Sequence, residues 1–441
     1  MTDACAAPAV SEPGLLRFIT CGSVDDGKST LIGRLLYDSK AILADALDSL
    51  HRVSSRGGAR RLDLSLLTDG LQAEREQGIT IDVAYRFFAT ARRRFILGDT
   101  PGHEEFTRNM VTAASTADLA VILVDARQGV RTQTRRHAAL AHLLGLGHLV
   151  LAVNKMDLAG WSRAAFEAIR EEGLALAREL GIPHLECIPL CALEGDMVVT
   201  RGRRLPWHQG PTLLEHLESV PLAPDQPERP FRFPVQWVCR PDPDRAPDFR
   251  GYAGRVESGT MQAGGRVLVL PGRQGTRVRA IHLGDRRLEA ARAGQSVLLE
   301  LEDALAVGRG DLLADPDDPP ALGRDLEATV CWFAQAPVRA EARLLLRAGT
   351  RETRAGLVRI RSRLDLATLK PQAADQLVMN DIAEVSLRLE HPVPADPYVA
   401  NRPTGAFILV GEDSNDTVAG GLVKGFTTGT DGTPRPWGAP A

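Results

Sequence analysis

GSVDDGKST, residues 22–30, decides the fold of the first half of this chain. Its first eight residues match the pattern Gly, four residues, Gly-Lys-Ser/Thr, which is typical of phosphate-binding loops. Glycines let such a loop wrap around phosphates, so that successive backbone N–H groups point inward at the start of a helix. The apolar run 18–21 predicts a strand before the loop, and residues 30–36 predict a helix after it. We therefore predict a nucleotide site formed by Gly22, Ser23, Val24, Asp25, Asp26, Gly27, Lys28, Ser29 and Thr30.

Two side chains of this loop have predicted roles in chemistry. We expect Lys28 to reach the β- and γ-phosphates and the Ser29 hydroxyl to bind Mg²⁺. The chain has only five lysines among its 53 Lys and Arg residues, and two of them, Lys28 and Lys155, lie in candidate nucleotide motifs. A compact ammonium group is not replaceable by a planar guanidinium at such positions. The composition therefore agrees with a phosphate-binding role for these lysines.

The identity of the base follows from Asn154, Lys155, Met156 and Asp157, which come directly after a predicted buried strand at 148–153. A carboxylate at Asp157 can accept hydrogen bonds from both N1–H and the 2-amino group of guanine, and Asn154 can contact the other edge of the base. Adenine would leave a buried carboxylate without partners, and sites of this kind discriminate by ~10⁴-fold. The predicted nucleotide is GTP.

The segment Asp99-Thr100-Pro101-Gly102-His103 also follows a predicted strand, at 95–97. An aspartate there can hold a Mg²⁺-bound water, and glycine lets the backbone N–H approach the γ-phosphate. His103 is then placed to orient the attacking water, and we predict it as the catalytic residue. Thr80, in the segment 74–80 (EREQGIT), can give its hydroxyl to Mg²⁺ and its N–H to the γ-phosphate. The predicted metal ligands are therefore Ser29 and Thr80.

The domain organisation changes at residues 221–230 (PLAPDQPERP). Before this linker, strands alternate with helices predicted at 137–144 and 163–180, which indicates a parallel sheet with helices on both faces. After it, short glycine-punctuated strand patterns such as 265–272 and 357–361 indicate two small β-barrels. We predict an α/β P-loop GTPase domain (1–222), two all-β barrel domains (230–314 and 325–428) and a flexible tail (429–441).

Composition excludes several other classes of protein. A hydrophobic fraction of 44% and a charged fraction of 25% are ordinary for a globular protein. The net charge of −3 argues against a nucleic-acid ligand. No apolar run reaches the ~20 residues of a membrane span, and the N-terminal stretch does not have the pattern of a signal peptide. Among six scattered cysteines only Cys187 and Cys191 form a CxxxC pair, and a metal site normally needs a second pair, which the sequence lacks. We expect a cytoplasmic protein without a membrane partner.

The motifs together resemble the translation-factor class of GTPases. The resemblance rests on GSVDDGKST, AEREQGITI, DTPGHEEFTRNM, NKMD and the two barrels, and it extends from about Phe18 to Phe426. It implies that Cys191, Ala192 and Leu193 form the loop that contacts the guanine O6. The family usually has serine where Cys191 stands, but backbone N–H groups make much of that contact.

Within this class the chain is most similar to the large, GTPase subunits of heterodimeric sulfate adenylyltransferase. The segments 20–40, 68–88 and 249–259 carry this likeness, and Asp26 stands where elongation factors commonly have histidine. The resemblance implies a small catalytic partner subunit that makes adenylylsulfate and pyrophosphate from ATP and sulfate, driven by GTP hydrolysis on this subunit. The alternative is an elongation factor that delivers aminoacyl-tRNA, although the short arginine runs at 92–94 and 201–204 are more typical of solvated surfaces.

Overall fold

The computed structural model describes residues 14–42, 64, 82–103, 106–221, 229–240 and 249–427. The predicted magnesium ligand Thr80 and the predicted tail at 429–441 lie outside these residues. The chain divides into two compact units, residues 1–222 with 366–369 and residues 223–365 with 370–441. The predicted boundaries between the three domains stay a prediction.

The first unit is built on one six-stranded sheet. Its strands are β1 (Leu15–Cys21), β2 (Ala84–Ala89), β3 (Arg94–Asp99), β4 (Leu119–Asp125), β5 (His148–Asn154) and β6 (His184–Pro189). The strand order is β2-β3-β1-β4-β5-β6, in which β2 is antiparallel to β3 and the other pairs are parallel. Every residue of β4 is buried, as expected for a central strand covered on both faces.

The helices of the described part of this unit connect or follow these strands. They are α1 (Lys28–Asp38), α2 (Thr107–Ala114), α3 (Thr132–Leu143), α4 (Arg163–Leu180) and α5 (Leu213–Ser219). In α4 the buried residues Phe166, Ile169, Gly173, Leu176 and Ala177 recur at helical spacing and form one apolar face. The Ser162 hydroxyl accepts a hydrogen bond from Ala165 N at the start of α4, and Gly181 ends the helix with a φ of 76°. The predicted alternation of strands and helices is confirmed.

The second unit contains two closed barrels. The strands of the first are β7 (Arg232–Cys239), β8 (Gly251–Arg255), β9 (Thr260–Gln262), β10 (Arg266–Leu270), β11 (Gln274–Leu283), β12 (Arg286–Leu288), β13 (Ala290–Arg292), β14 (Ser296–Leu301) and β15 (Leu312–Ala314). Six of them pair in the order β10-β15-β7-β8-β14-β11, and pairing between β10 and β11 closes the barrel. Its core contains Phe233, Val278 and Leu299, each of them fully buried.

The second barrel repeats this plan. Its strands are β16 (Ala321–Trp332), β17 (Val338–Arg339), β18 (Arg343–Ala348), β19 (Arg351–Leu364), β20 (Pro371–Gln372), β21 (Gln376–Leu377), β22 (Ile382–Ala395), β23 (Ala406–Gly411) and β24 (Thr417–Phe426). The order β18-β23-β24-β16-β22-β19 is closed by pairing between β18 and β19. A buried ion pair joins the barrels, since Arg232 donates two hydrogen bonds of 2.9 Å to Asp396. The predicted fold class, an α/β GTPase domain followed by two all-β barrels, is confirmed.

The described residues include no helix that is both long and apolar enough to cross a membrane.

Candidate functional site

The predicted nucleotide residues meet at one edge of the α/β sheet. The parallel strands β1, β3 and β5 end at Cys21, Asp99 and Asn154, and the carboxyl ends of parallel strands lie on the same side of a sheet. Three motifs begin at or directly after these ends, and the fourth, 191–193, follows the parallel strand β6, which ends at Pro189. Their proximity is therefore a consequence of the strand order and not only of the sequence.

The phosphate loop, residues 22–27, is closed around the side chain of Lys28. Lys28 Nζ donates hydrogen bonds to Gly22 O at 3.0 Å and to Ser23 O at 2.9 Å. Gly27 has a φ of 92°, and a Cβ there would lie only 2.5 Å from Asn154 Nδ2, so both the backbone conformation and the space require glycine. Ser29 and Thr30 follow in the first turn of α1. The loop has the strand–loop–helix context that was predicted for it.

Two buried charged groups of this loop affect each other. Burial lowers the pKa of Lys28, and the nearby carboxylates of Asp99 and Asp26 partly oppose that shift. The Asp26 carboxylate accepts a hydrogen bond from Ser23 N at 2.6 Å, yet its burial raises its pKa to about 6. A buried ammonium group at the start of a helix is stabilised by an anion in front of it, which fits a phosphate group as the ligand.

The segment 99–103 packs directly against the phosphate loop. Asp99 is buried and accepts a hydrogen bond from Thr20 Oγ1 at 3.3 Å, and the Thr100 hydroxyl donates to Thr20 O at 2.7 Å. A Cβ on Gly102 would lie 2.4 Å from Lys28 Nζ and 2.8 Å from the backbone oxygen of Gly22, so the space here requires glycine. Pro101 is buried and His103 is exposed. The side chain predicted to orient water is thus open to solvent beside the phosphate loop.

Asn154 connects the phosphate loop to the loop 191–193. Its Nδ2 donates to Asp26 O at 2.8 Å, and its Oδ1 accepts from Ala192 N at 3.0 Å. Both ends of this buried amide are therefore engaged with the protein. In this structure Asn154 holds two loops together, and its predicted contact with the guanine base stays a prediction.

The predicted base reader Asp157 lies beside the same loop. Cys191 donates from its sulfur to Asp157 Oδ1, with the two atoms 3.2 Å apart. Burial raises the pKa of the Cys191 thiol to about 12, so the thiol keeps its proton and acts as a donor. The cysteine therefore makes a contact with Asp157 that a serine hydroxyl would also make. Met156 is fully buried beneath the motif, whereas Leu193 is exposed.

One residue of this site was not predicted from the sequence. Asp125, at the end of β4, accepts hydrogen bonds from Arg127 Nε at 3.0 Å and Arg127 Nη2 at 2.7 Å, and these bonds hold the pKa of its carboxyl well below its usual range. It also forms an ion pair of 3.2 Å with Lys155, whose ammonium group donates to Asp25 O in the phosphate loop. Asp125 could have been predicted from the sequence, because it is an acidic residue at the end of a mainly apolar strand. Asp99 occupies the same position at the end of β3.

The structure thus brings together the predicted residues 22–30, 99–103, 154–157 and 191–193. Thr80 lies outside the described residues, so its predicted contact with Mg²⁺ stays a prediction, as does the catalytic role of His103. The buried ammonium group of Lys28 at the start of α1 suits phosphate groups. The Asp157 carboxylate beside residues 191–193, here called the base loop, suits a guanine base.

Comparison with known proteins places the chain in a family. Residues 14–221 match the elongation factor Tu GTP binding domain, and residues 325–424 match the GTP-eEF1A C-terminal domain-like family. Sulfate adenylyltransferase subunit 1 of Methylorubrum populi is 48% identical, over 96% of this chain and 90% of the relative. The protein of the same name from Citrobacter koseri is 47% identical, over 97% and 90%. The bifunctional enzyme CysN/CysC of Mycobacterium tuberculosis is 50% identical, over 93% and 67%.

These relatives separate the two interpretations of the sequence. The likeness to translation factors is the more distant one, whereas proteins of sulfate activation match nearly the whole chain at close to half of its positions. The two family models that match parts of this chain, at 14–221 and 325–424, are both named after elongation factors. The chain therefore belongs to the family of sulfate adenylyltransferase subunit 1, the GTPase subunit of a nucleotidyltransferase.

Proposed function

We propose that this protein hydrolyses GTP in order to drive the formation of adenylylsulfate and pyrophosphate from ATP and sulfate, the first step of sulfate assimilation, on a small catalytic partner subunit. The observation that carries the proposal is the pair of hydrogen bonds made by Asn154, from its Nδ2 to Asp26 O at 2.8 Å and from Ala192 N to its Oδ1 at 3.0 Å. They join the phosphate loop to the loop 191–193 in a chain that belongs to this family. The family relation supplies the partner reaction, and the geometry supplies the nucleotide site.

In this proposal the nucleotide lies along the edge of the sheet. Its phosphates are held by residues 22–30, with Lys28 Nζ leaving the carbonyl oxygens of Gly22 and Ser23 for the phosphate oxygens. The Asp157 carboxylate accepts from N1–H and the 2-amino group of guanine, and backbone N–H groups of 191–193 donate to O6. Thr100, Pro101 and Gly102 lie at the γ-phosphate end, since Gly102 is in contact with the phosphate loop.

Mg²⁺ fits the oxygen donors at this end of the site. The Ser29 hydroxyl and the Thr80 hydroxyl, both predicted ligands, would supply the hard oxygen atoms that this ion prefers, and the Asp99 carboxylate would hold a water bound to the ion. When bound, the ion would neutralise charge that develops on the phosphates during hydrolysis. The Thr20 hydroxyl donates to Asp99 at 3.3 Å and so helps to orient its carboxylate.

The catalytic step needs a group that orients water toward the γ-phosphate. We assign it to His103, which is exposed and stands one residue after Gly102. The residue before it, Gly102, packs against the phosphate loop, since a Cβ there would lie 2.8 Å from Gly22 O. Mutations of groups that position water in this way typically cost ~10²-fold or more in rate.

Coupling to the partner follows from thermodynamics. Formation of adenylylsulfate is uphill because it makes a mixed phosphoric–sulfuric anhydride, so a second, downhill reaction has to be linked to it. GTP hydrolysis can be linked only if the partner subunit is bound differently in the GTP and GDP states. We propose a heterodimer of this kind in the cytoplasm. In this proposal the change of state is the loss of the γ-phosphate, which Thr80 is predicted to contact.

The test measures GTP hydrolysis by this chain alone, with the small subunit, and with the small subunit plus ATP and sulfate. We expect slow hydrolysis by the chain alone and faster hydrolysis only when the partner, ATP and sulfate are all present. Omission of sulfate is the matched control, because ATP and the partner remain. A hydrolysis rate that is independent of sulfate and of the partner contradicts the proposal.

A further inference from the structure

Arg34 connects the helix of the phosphate loop to the loop 191–193 across 159 residues of sequence. It lies on α1, and its Nε donates to Ala192 O at 3.2 Å while its Nη2 donates to Leu193 O at 2.7 Å. Its Nη1 forms an ion pair of 3.5 Å with Asp38, one helical turn later. The side chain is only 20% exposed. One guanidinium group thus holds two consecutive carbonyl oxygens of the base loop.

These contacts determine the directions of backbone N–H groups. The peptide unit is planar and trans, so the C=O of one residue and the N–H of the next point in opposite directions in the same plane. Fixing Ala192 O therefore fixes the N–H of Leu193. The N–H of Ala192 itself is fixed by Asn154 Oδ1 at 3.0 Å, on the inner side of the loop. Asn154 therefore fixes the peptide plane between residues 191 and 192, and Arg34 fixes the next plane, between residues 192 and 193.

We propose that Arg34 is a positioning residue for guanine recognition: it orients the N–H of Leu193 toward the O6 of the base. The inference rests on the proposed role of residues 191–193 at the guanine. Arg34 does not contact the nucleotide in this proposal and acts only through the loop. It also makes α1, which begins at the phosphate-binding Lys28, a direct mechanical link between the phosphate and base ends of the site.

The chemistry of the side chain suits this task better than that of lysine. A guanidinium group presents parallel N–H donors in one rigid plane, which match two carbonyl oxygens on consecutive residues. Asp38 on the same helix accepts from the third nitrogen at 3.5 Å, so all three nitrogens of the group have a partner. An ammonium group has no fixed plane and would hold one carbonyl at a time.

The test compares GDP with 6-thio-GDP, whose sulfur at position 6 accepts hydrogen bonds poorly while its N1–H and 2-amino group are unchanged. Diphosphates avoid hydrolysis during the measurement. We expect Arg34→Ala to weaken GDP binding about 10-fold and 6-thio-GDP binding no more than about 2-fold, because the lost orientation matters only where O6 accepts a bond. Arg34→Lys should fall between the wild type and Arg34→Ala for GDP.

Arg170→Ala is the matched control, since Arg170 forms an ion pair of 2.9 Å with Glu167 on α4, away from the nucleotide residues. It should bind both nucleotides as the wild type does. If Arg34→Ala does not fold, as judged by thermal melting, the comparison is made with Arg34→Lys and Arg34→Gln. An equal loss for both nucleotides, or none for GDP, overturns the inference while the guanine site stands. Equal affinity of the wild type for GDP and ADP overturns the guanine site and this inference with it.

Discussion

Replacement of Gly27 by alanine is expected to weaken GTP binding for two reasons, an unfavourable backbone conformation and an overlap with Asn154. Its φ of 92° lies in the left-handed region, which side chains disfavour. The added Cβ would also lie 2.5 Å from Asn154 Nδ2, well inside van der Waals contact. Asn154 donates from that nitrogen to Asp26 O at 2.8 Å, so relief of the overlap separates the phosphate loop from the base loop.

The expected magnitude follows from these two costs. The left-handed conformation costs an alanine about 1–2 kcal/mol. Breaking a buried hydrogen bond and leaving its partners unsatisfied costs about 1–3 kcal/mol. In the nucleotide-free protein the loop can relax, whereas binding has to restore the native geometry, so much of the sum appears in the affinity. If about 2–4 kcal/mol of the two costs appears in the affinity, the Kd for GTP becomes roughly 30- to 1,000-fold weaker.

The assay is equilibrium binding of a fluorescent GTP analogue, with thermal melting to confirm that the variant folds. Gly181→Ala is the matched control, because Gly181 has a φ of 76° at the end of α4 and a Cβ there would have nothing within 4 Å. It shares the conformational strain but has no overlap with the nucleotide site, and it should bind GTP as the wild type does. If Gly27→Ala binds GTP within about threefold of Gly181→Ala, the reasoning about Asn154 is wrong.

Three further predictions concern the same site. Asp157→Asn should weaken GTP and favour xanthosine triphosphate, because an amide can donate to the 2-oxo group; equal wild-type affinity for ATP and GTP in competition binding contradicts this. His103→Ala should lower GTP turnover ~10²-fold with nearly unchanged affinity, whereas Lys28→Ala should impair both. A normal rate for His103→Ala in the presence of the partner removes its assigned role. Burial raises the pKa of Asp26 to about 6 from the usual 3.8, so the nucleotide-free protein should lose stability as pH rises from about 4 to about 6. Asp26→Asn should melt with less pH dependence in that window, and an unchanged profile contradicts the assignment.

Most of the α/β sheet could be predicted because its elements carry local patterns. The buried run at 119–124 appears as β4 (Leu119–Asp125), and the helix predicted at 163–180 is α4. The helix predicted from His137 begins five residues earlier, at Thr132, since the polar residues of its first turn carry no apolar periodicity. Burial alternates along the edge strand β2, but the exposed positions include the aromatic residues Tyr85 and Phe87, so its sequence lacks the apolar–polar alternation that indicates a half-buried strand.

The sequence motifs name most of the residues that meet at this edge of the sheet, but not Asp125 and not the contacts between them. The motifs identify Asp26, Asn154 and Ala192, whereas the hydrogen bonds that join them span 128 and 38 residues of sequence. These hydrogen bonds depend on the order of the strands in the sheet, which no local sequence pattern determines. The same holds for Arg34, whose position on α1 looks like that of any helical arginine until the loop 191–193 is seen beside it.

The measurement that tests the coupling most directly is incorporation of labelled sulfate into adenylylsulfate by this chain together with its small subunit. Three reactions are compared, with GTP, with a non-hydrolysable GTP analogue and with neither, all containing ATP and sulfate. If hydrolysis drives the uphill synthesis, adenylylsulfate accumulates with GTP beyond the level reached with the analogue, and this chain alone makes none. Identical yields of adenylylsulfate in all three reactions contradict the proposed coupling.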